Sequence, residues 1–427
     1  MLVLLCGILS CQQQTNVRLM VVNPLDSLAQ IVTKSMQGSV DTTVHVYSTE
    51  VLGQYNDTSI GHTSIWHTTA HEFEELLSNG WANVALIEGF NSEKTEYGER
   101  LVANGIHVLA RQPLVIDVKG YERLDNMYRT AAETKAWIYE LTPERFDSTV
   151  QLLKMLLSVK DWTGGVTIGT LSKPAIRITS RRQFARWSNG EILKRPAWFF
   201  DAKRQGDGLV NLVPMVDALN WIILPEQDID YDRVVRLYGA KRWQTFLNRY
   251  QYQTLTGNDH YPNFLRGSMN GANSIAVFSN AELAYTLNGV HIRIKEIWDY
   301  DGEEGNGSKY DVLVHTKRMD LSVKSYSDGQ GLISIQLAKK AEDSAFEEGL
   351  KTMLHKSKIA DTKFEKINQG LYQITIGSPL VRQETYLGLS VQQFLEYLKE
   401  GIIPSWESSF QRAKYRLITD AIQLASE

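Results

Sequence analysis

The 427-residue chain carries a formal net charge of -4, with 43% hydrophobic and 22% charged residues. That length and balance suit a globular protein of two domains, and nothing in the charge offers a basic surface to nucleic acid. Its two cysteines, Cys6 and Cys11, sit at the extreme N-terminus, so the body of the chain has no disulfide, no thiolate nucleophile and no cysteine metal site.

Those cysteines lie in a short apolar run closed by Ser10-Cys11. The run is too short to span a bilayer and reads as the apolar part of a signal peptide. Ile8-Leu-Ser-Cys11 resembles a bacterial lipobox. The resemblance implies that residues 1–11 are the signal, that Cys11 carries a diacylglyceryl thioether, and that Gln12 to Asn16 form a tether. The expected location is the bacterial cell envelope, facing the periplasm or on the outer membrane, with the lipid anchor as the only membrane contact. No Lys or Arg precedes the run, which departs from the usual signal. No twin-arginine pair is present either, so export of an unfolded chain is expected.

From Val17 the elements alternate. Val17–Val22, Thr43–Tyr47, Val84–Ile87, Val108–Ala110 and Ala136–Tyr139 read as apolar strands. Leu28–Met36, Glu72–Leu77, Lys94–Asn104 and Tyr121–Thr134 read as helices between them, with Ser27 as an N-cap and Gly105 as a stop. Continuous apolar strands alternating with helices predict a parallel sheet covered on both faces. Ligands of such sheets sit beyond the carboxyl ends of the strands. The residues expected there are Asn23, Glu50, Glu88, Asn91, Arg111, Gln112 and Pro113.

After a helix at Val150–Ser158, Val166–Thr170 reads as a strand. Ile275–Ser279, Ala281–Thr286, Val290–Trp298, Asp311–Thr316 and Leu332–Gln336 follow as shorter alternating runs, punctuated by Gly and Asn. They predict a mostly antiparallel open sheet. Asp299–Ser308 reads as a mobile polar loop, and Val391–Lys399 and Phe410–Ala425 as closing helices. The expected fold is therefore α/β: a Rossmann-like parallel domain over 12–145, then an α+β domain over 146–427 forming one wall of a cleft.

Between these halves lies Lys194–Trp221. Trp198, Phe199 and Phe200 can make a wall, Asp201 can begin a turn, and Gly206 and Gly208 permit a sharp bend. Leu209, Val213, Val216, Leu219 and Ile222 then recur at helical spacing. Such a run forms either a pocket wall or an ordinary core helix behind a loop.

Four stretches carry a family likeness: Asn104–Leu114, Leu141–Phe146, Lys194–Asp217 and Pro404-Ser-Trp-Glu407. On them the chain resembles the Gfo/Idh/MocA group of NAD(P)-dependent oxidoreductases, and within it the bacterial oxidoreductases with a dedicated C-terminal domain. The resemblance implies NAD or NADP on a glycine-rich first turn, a lysine beside the nicotinamide, and a histidine base acting on a sugar-like alcohol.

At each of those points the sequence departs. The first turn is Asn23-Pro-Leu-Asp-Ser-Leu28, with no glycine, and Asp26 sets negative charge where phosphate would come. The closer relatives read Pro-Gly-His-Phe-His there, so Asp26 and Leu28 stand at histidine positions. Gln112 stands where the lysine is expected, and a glutamine neither gives nor takes a proton at neutral pH. Asn211 and Pro214 stand where an acid and the base are expected, while Asp217 is retained. Arg181 and Arg182 replace a histidine pair, and Arg382–Tyr386 also lacks the expected histidines. Losing turn, lysine and base together argues against hydride transfer, and an exported chain meets little free dinucleotide.

Other residues leave more open. His67 and His71 are spaced as zinc ligands on a helix, but no third ligand stands at a familiar spacing, so no metal is expected. Arg111, Arg181 and Arg182 form either a cationic patch for a carboxylate or acidic sugar, or ordinary surface charge. Trp198 and Phe199 either stack on a sugar ring or pack in the core. Asp201 and Asp217 either bind ligand hydroxyls or cap and orient helices. Three functions follow: a pseudoenzyme binding a carbohydrate-like small molecule, an active oxidoreductase or lyase with a rewired site and a tightly held nicotinamide cofactor, and a structural or interaction lipoprotein.

Overall fold

The fold is that of a computed structural model. It describes residues 16–24, 27–36, 38–39, 43–48, 59–60, 63–188, 190–300, 308–325, 333–339, 344–357, 359, 362–377 and 382–426. The expected lipobox at Cys11, together with Leu25, Asp26, Glu50 and most of the expected loop over 299–308, lies outside the described residues.

The first layer contains β1 (Leu19–Val22), α1 (Ser27–Ser35), β2 (Thr43–Tyr47), β3 (Ser59–Ile60), β4 (Thr63–Thr68), α2 (Ala70–Ser78), β5 (Val84–Ile87), α3 (Lys94–Ala103), β6 (His107–Arg111), α4 (Val118–Thr134) and β7 (Ile138–Leu141). Its strands run β3-β4-β2-β1-β5-β6-β7, parallel throughout except β3. All four residues of β1 and of β5 are buried. The pleat explains why: alternate side chains enter opposite cores. Met20, Val22, Ala85 and Ile87 face Phe73, Leu101, Val102, Leu124 and Met127. Leu19, Val21, Val84 and Leu86 face Val32 and Met36, together with Leu387, Val391 and Phe394 from the far end of the chain.

The second layer adds α5 (Ser148–Ser158), α6 (Lys160–Thr163), β8 (Ile176–Gln183), β9 (Trp187–Ser188), β10 (Glu191–Ile192), α7 (Ala202–Gln205), α8 (Val213–Ile223), α9 (Tyr231–Val234), β11 (Val235–Asn248), α10 (Arg249–Thr256), β12 (Ser274–Leu287) and β13 (Val290–Asp299). It continues with β14 (Lys309–His315), β15 (Met319–Ser325), β16 (Ile333–Lys339), α11 (Ser344–Lys356), β17 (Thr362–Asn368), β18 (Leu371–Ile376), α12 (Arg382–Glu400) and α13 (Ser405–Leu424). Nine of its strands form one sheet in the order β11-β12-β13-β8-β14-β15-β16-β18-β17. Every pair is antiparallel except β8 with β13. Its inner face, with Ile176, Ile178, Ile292, Ile294, Val312 and Val314, joins the main core.

The α/β class and both sheets are as the sequence predicts. Three details differ. Val166–Thr170 makes only isolated bridges, Val166 to Thr316 and Gly169 to Pro174, because the glycines there turn the chain with positive φ. Ile275–Ser279 and Ala281–Thr286 are one strand, in which the irregularity is a bulge: Phe278 and Ser279 of β12 stand opposite the single residue Gln244 of β11. The division at 145/146 also hides a return: α12 covers one face of the parallel sheet, and α13 runs back against β7, α4 and α8. No described helix is long and apolar enough to cross a membrane.

Candidate functional site

The carboxyl ends of β1, β5, β6 and β7 lie against the second layer, and most of the expected site residues gather there. Asn23 follows β1 with φ 51 and is 3% exposed. A Cβ on Gly89 would come within 2.6 Å of the Asn23 Cβ, so the ends of β1 and β5 are pressed together where only glycine fits. Glu88, at the end of β5, is 1% exposed. Asn91 is buried and donates from Nδ2 to the Gln205 carbonyl (2.8 Å) and to Gln205 Oε1 (3.1 Å).

Sequence patterning missed Lys94, which opens α3 and is fully buried. Its Nζ donates to the carbonyls of Arg111 (2.9 Å) and Pro113 (3.1 Å). Burial, reinforced by the Arg111 charge, pushes its pKa down to about 7, against the pull of Glu140 and Glu88. A buried lysine facing two carbonyls leaves no sequence signal, since lysine at the start of a helix is usually solvated. Gln112 points Nε2 toward Glu140 Oε2 at 3.5 Å, while its Oε1 is buried with no hydrogen-bond partner. The Arg111 side chain is exposed.

A dinucleotide pyrophosphate calls for a glycine turn of free amides at the β1 end. The described groups there are a left-handed asparagine packed on Gly89, a buried glutamate, and a lysine whose ammonium turns away into carbonyls.

Below the strand ends lies a buried ionic network. A 3-10 turn at Pro143–Phe146 follows β7 and presents Arg145. Arg145 donates from Nε to Asp217 Oδ2 (2.7 Å), from Nη2 to Asp217 Oδ1 (2.9 Å) and from Nη1 to Glu407 Oε2 (2.8 Å). Lys414, on α13, reaches Asp217 Oδ1 at 2.7 Å and Glu140 Oε2 at 2.5 Å. Tyr415 donates to Glu140 Oε1, which also accepts the Leu114 amide at 3.1 Å. Burial would raise the Asp217 carboxyl, but Arg145 and Lys414 overcome it and hold the group well below the usual range. Both Asp217 oxygens thus join α8 to Arg145 and to Lys414 on α13.

Asp201 likewise serves the fold. It caps α7 by accepting from the Lys203 amide (3.0 Å) and pairs with Arg204 at 3.6 Å. Trp198 is buried edge-on against Phe90, with centroids 5.2 Å apart, and its Nε1 has no partner. Phe199 meets Trp298, and Phe200 packs on Phe184 and Tyr252. The cavity behind these rings is about 20 Å³, enough for one water and too small for a sugar. Gly206 makes the expected bend with φ 96, whereas Gly208 is needed for close packing: a Cβ there would come within 2.3 Å of the Asn280 carbonyl oxygen. Asn211 donates to the Ser279 carbonyl at 3.2 Å, and Pro214 lies in the first turn of α8. The Lys194–Trp221 stretch is therefore a seam between the layers.

The three arginines do not make one patch. Successive residues of a strand point to opposite faces. Arg181 is on the open face of the sheet, paired with Asp299 at 3.0 Å. Arg182 is on the inner face, where its Nε donates to Glu296 Oε2 at 2.9 Å. Trp298 Nε1 donates to Glu296 Oε1 at 2.7 Å. In register with Ser180 stand Glu296 on β13 and Tyr310 on β14. The inner face is thus apolar up to Ile178 and turns polar at Ser180, Arg182, Glu296 and Tyr310. Glu144, from the turn after β7, approaches this polar end. Its Oε2 is buried without a partner, and burial together with Asp217 raises its pKa against Arg182 and Lys414. No group of three or more potential metal ligands occurs among the described residues; His71 pairs with Glu75 at 3.5 Å.

The chain is similar to a protein from Parabacteroides merdae described as a putative oxidoreductase: 26% identity, TM-score 0.87, covering 96% of this chain and 98% of that one. At lower identity it shares a fold with GenD2 from gentamicin A biosynthesis, solved with NAD (12% identity, TM-score 0.60, covering 97% and 95%). It also shares one with KijD10, a 3-ketoreductase from Actinomadura kijaniata, solved with NADP and TDP-benzene (11% identity, TM-score 0.56, covering 94% and 96%). No curated protein matches in sequence. Residues 152–426 match the family described as "Putative oxidoreductase C terminal domain". That match spans more than half of the chain, and the chain belongs to this family.

Proposed function

We propose that the protein binds a carbohydrate-like small molecule in the cleft between its layers and does not carry out hydride transfer. One observation carries the reading: the groups at the expected positions of proton transfer are unable to do it. Gln112 is an amide, Asn211 is hydrogen-bonded to the Ser279 carbonyl, and Pro214 is built into a helix. The crowded Asn23–Gly89 contact supports the same reading on the cofactor side. Binding of a small sugar-like ligand agrees with the oxidoreductase fold, since one neighbour of that fold was solved with a TDP derivative. A lipid anchor on Cys11 would hold the protein in the bacterial envelope, away from the dinucleotide pool.

Isothermal calorimetry with NAD and with NADP tests this on the purified protein. The expected result is no measurable heat of binding at millimolar cofactor and no nicotinamide absorbance in the protein as isolated. Stoichiometric binding of either cofactor overturns the proposal in favour of a rewired oxidoreductase.

A further inference from the structure

We propose that the cleft ligand is a polyhydroxylated small molecule bearing a carboxylate, with the carboxylate held by the terminal nitrogens of Arg182 and the hydroxyls by Tyr310, Gln112 and Glu144. This rests on the ligand-binding reading above and names its chemical class.

Arg182 is fixed but not consumed. Glu296 takes its Nε, and Trp298 pins Glu296 from the other side. Glu296 is 0% exposed, so the guanidinium is held at one edge by a rigid buried group. Nη1 and Nη2 make no hydrogen bond in the structure. A planar fork with one edge anchored and the other open suits two-point contact with a carboxylate. A phosphate dianion suits the site less well, because the carboxylates of Glu296 and Glu144 already act on the arginine.

Three buried polar atoms lack partners beyond successive strands: Trp198 Nε1, packed on Phe90 after β5, Gln112 Oε1 after β6 and Glu144 Oε2 after β7. Buried polar groups are rarely left unpaired, and each exception calls for an explanation. These atoms follow β5, β6 and β7, which are neighbours in the parallel sheet. They offer one donor and two acceptors, which match the mixed donors and acceptors of a polyol. Tyr310, on the inner face beside Ser180, adds a hydroxyl that makes no hydrogen bond in the structure.

A ligand carboxylate beside Glu144 couples binding to protonation. Burial and Asp217 on α8 raise the Glu144 pKa, while Arg182 on β8 and Lys414 on α13 oppose this; Tyr310 on β14 also faces the group. Once ionised, Glu144 competes for Arg182 and repels the ligand. Affinity therefore falls as pH rises through the Glu144 titration.

Calorimetry with D-glucuronate, D-galacturonate, D-glucose and inorganic phosphate tests the inference on the full chain. At least one uronate is expected to bind about tenfold or more tighter than glucose and phosphate, a difference large enough to measure directly. Arg182→Gln should remove that preference, whereas Arg181→Gln, on the opposite face of β8, should keep it. Tyr310→Phe, a milder change that leaves Glu296 paired, should weaken uronate binding several-fold. Glu144→Gln should keep binding but abolish its pH dependence. The inference is overturned if no uronate binds, if glucose or phosphate binds as tightly, or if the Arg181 and Arg182 variants behave alike. Cofactor titration separates the two failures: NAD binding sinks the parent reading, whereas absent uronate binding without NAD binding sinks only this inference.

Discussion

Replacing Lys94 by methionine should change how stability depends on pH. In the unfolded chain this amine titrates near 10.5, and in the fold near 7. Between those values the unfolded chain binds more protons than the folded one, so stability rises with pH across that window. For a shift of this size, the rise from pH 7 to about pH 9 comes to about 2 kcal/mol from this group alone. Methionine fills a similar volume and cannot titrate, so its variant lacks this contribution. It also leaves the Arg111 and Pro113 carbonyls without their donor, a loss of about 1–3 kcal/mol per unsatisfied group. The assay is urea unfolding followed by far-UV circular dichroism at several pH values in that range. The wild-type and Lys94→Met stabilities should diverge by about 2 kcal/mol as pH rises. A constant difference across the range would refute the argument, because it would mean that Lys94 has the same proton affinity folded and unfolded.

Asp217→Asn should cost about 3–5 kcal/mol, read from the same urea transitions, because it strips Arg145 and Lys414 of a shared buried carboxylate. The folded Asp217 carboxyl lies well below its ordinary range, so its contribution is present above the unfolded pKa and lost as pH falls; the variant should lose that acid-side dependence. Cys11→Ala should move the protein from the membrane to the soluble fraction and abolish globomycin-sensitive processing. Recovery of the variant with membranes would rule out the lipid anchor.

Much of the fold was legible in the sequence because burial on both faces forces a readable pattern. Val84-Ala-Leu-Ile87 and Leu19-Met-Val-Val22 are apolar throughout, as a strand between two cores must be. β8 was harder to read. Ile176-Arg-Ile-Thr-Ser-Arg-Arg-Gln183 has only two apolar residues, Ile176 and Ile178, because its inner face turns polar at Ser180. β11 was missed because it is a bulged edge strand whose exposed positions carry no strict alternation. The site residues divided by the same logic. Strand-end positions such as Glu88, Asn91 and Gln112 follow from topology. Whether a named side chain faces a ligand or a partner depends on residues far away in sequence: Asp217 on Lys414, Asn91 on Gln205, Trp198 on Phe90.

The sequence by itself determined the order of the two sheets and their parallel and antiparallel character, because these follow from local periodicity. Tertiary structure alone decided that Lys194–Trp221 is a seam, that α12 belongs to the parallel sheet, that Arg181 and Arg182 part company, and that Glu144 is buried with its Oε2 unpartnered. Burial, the face of a strand and the protonation of a carboxyl are set by neighbours brought together through folding, and chain order does not encode those neighbours.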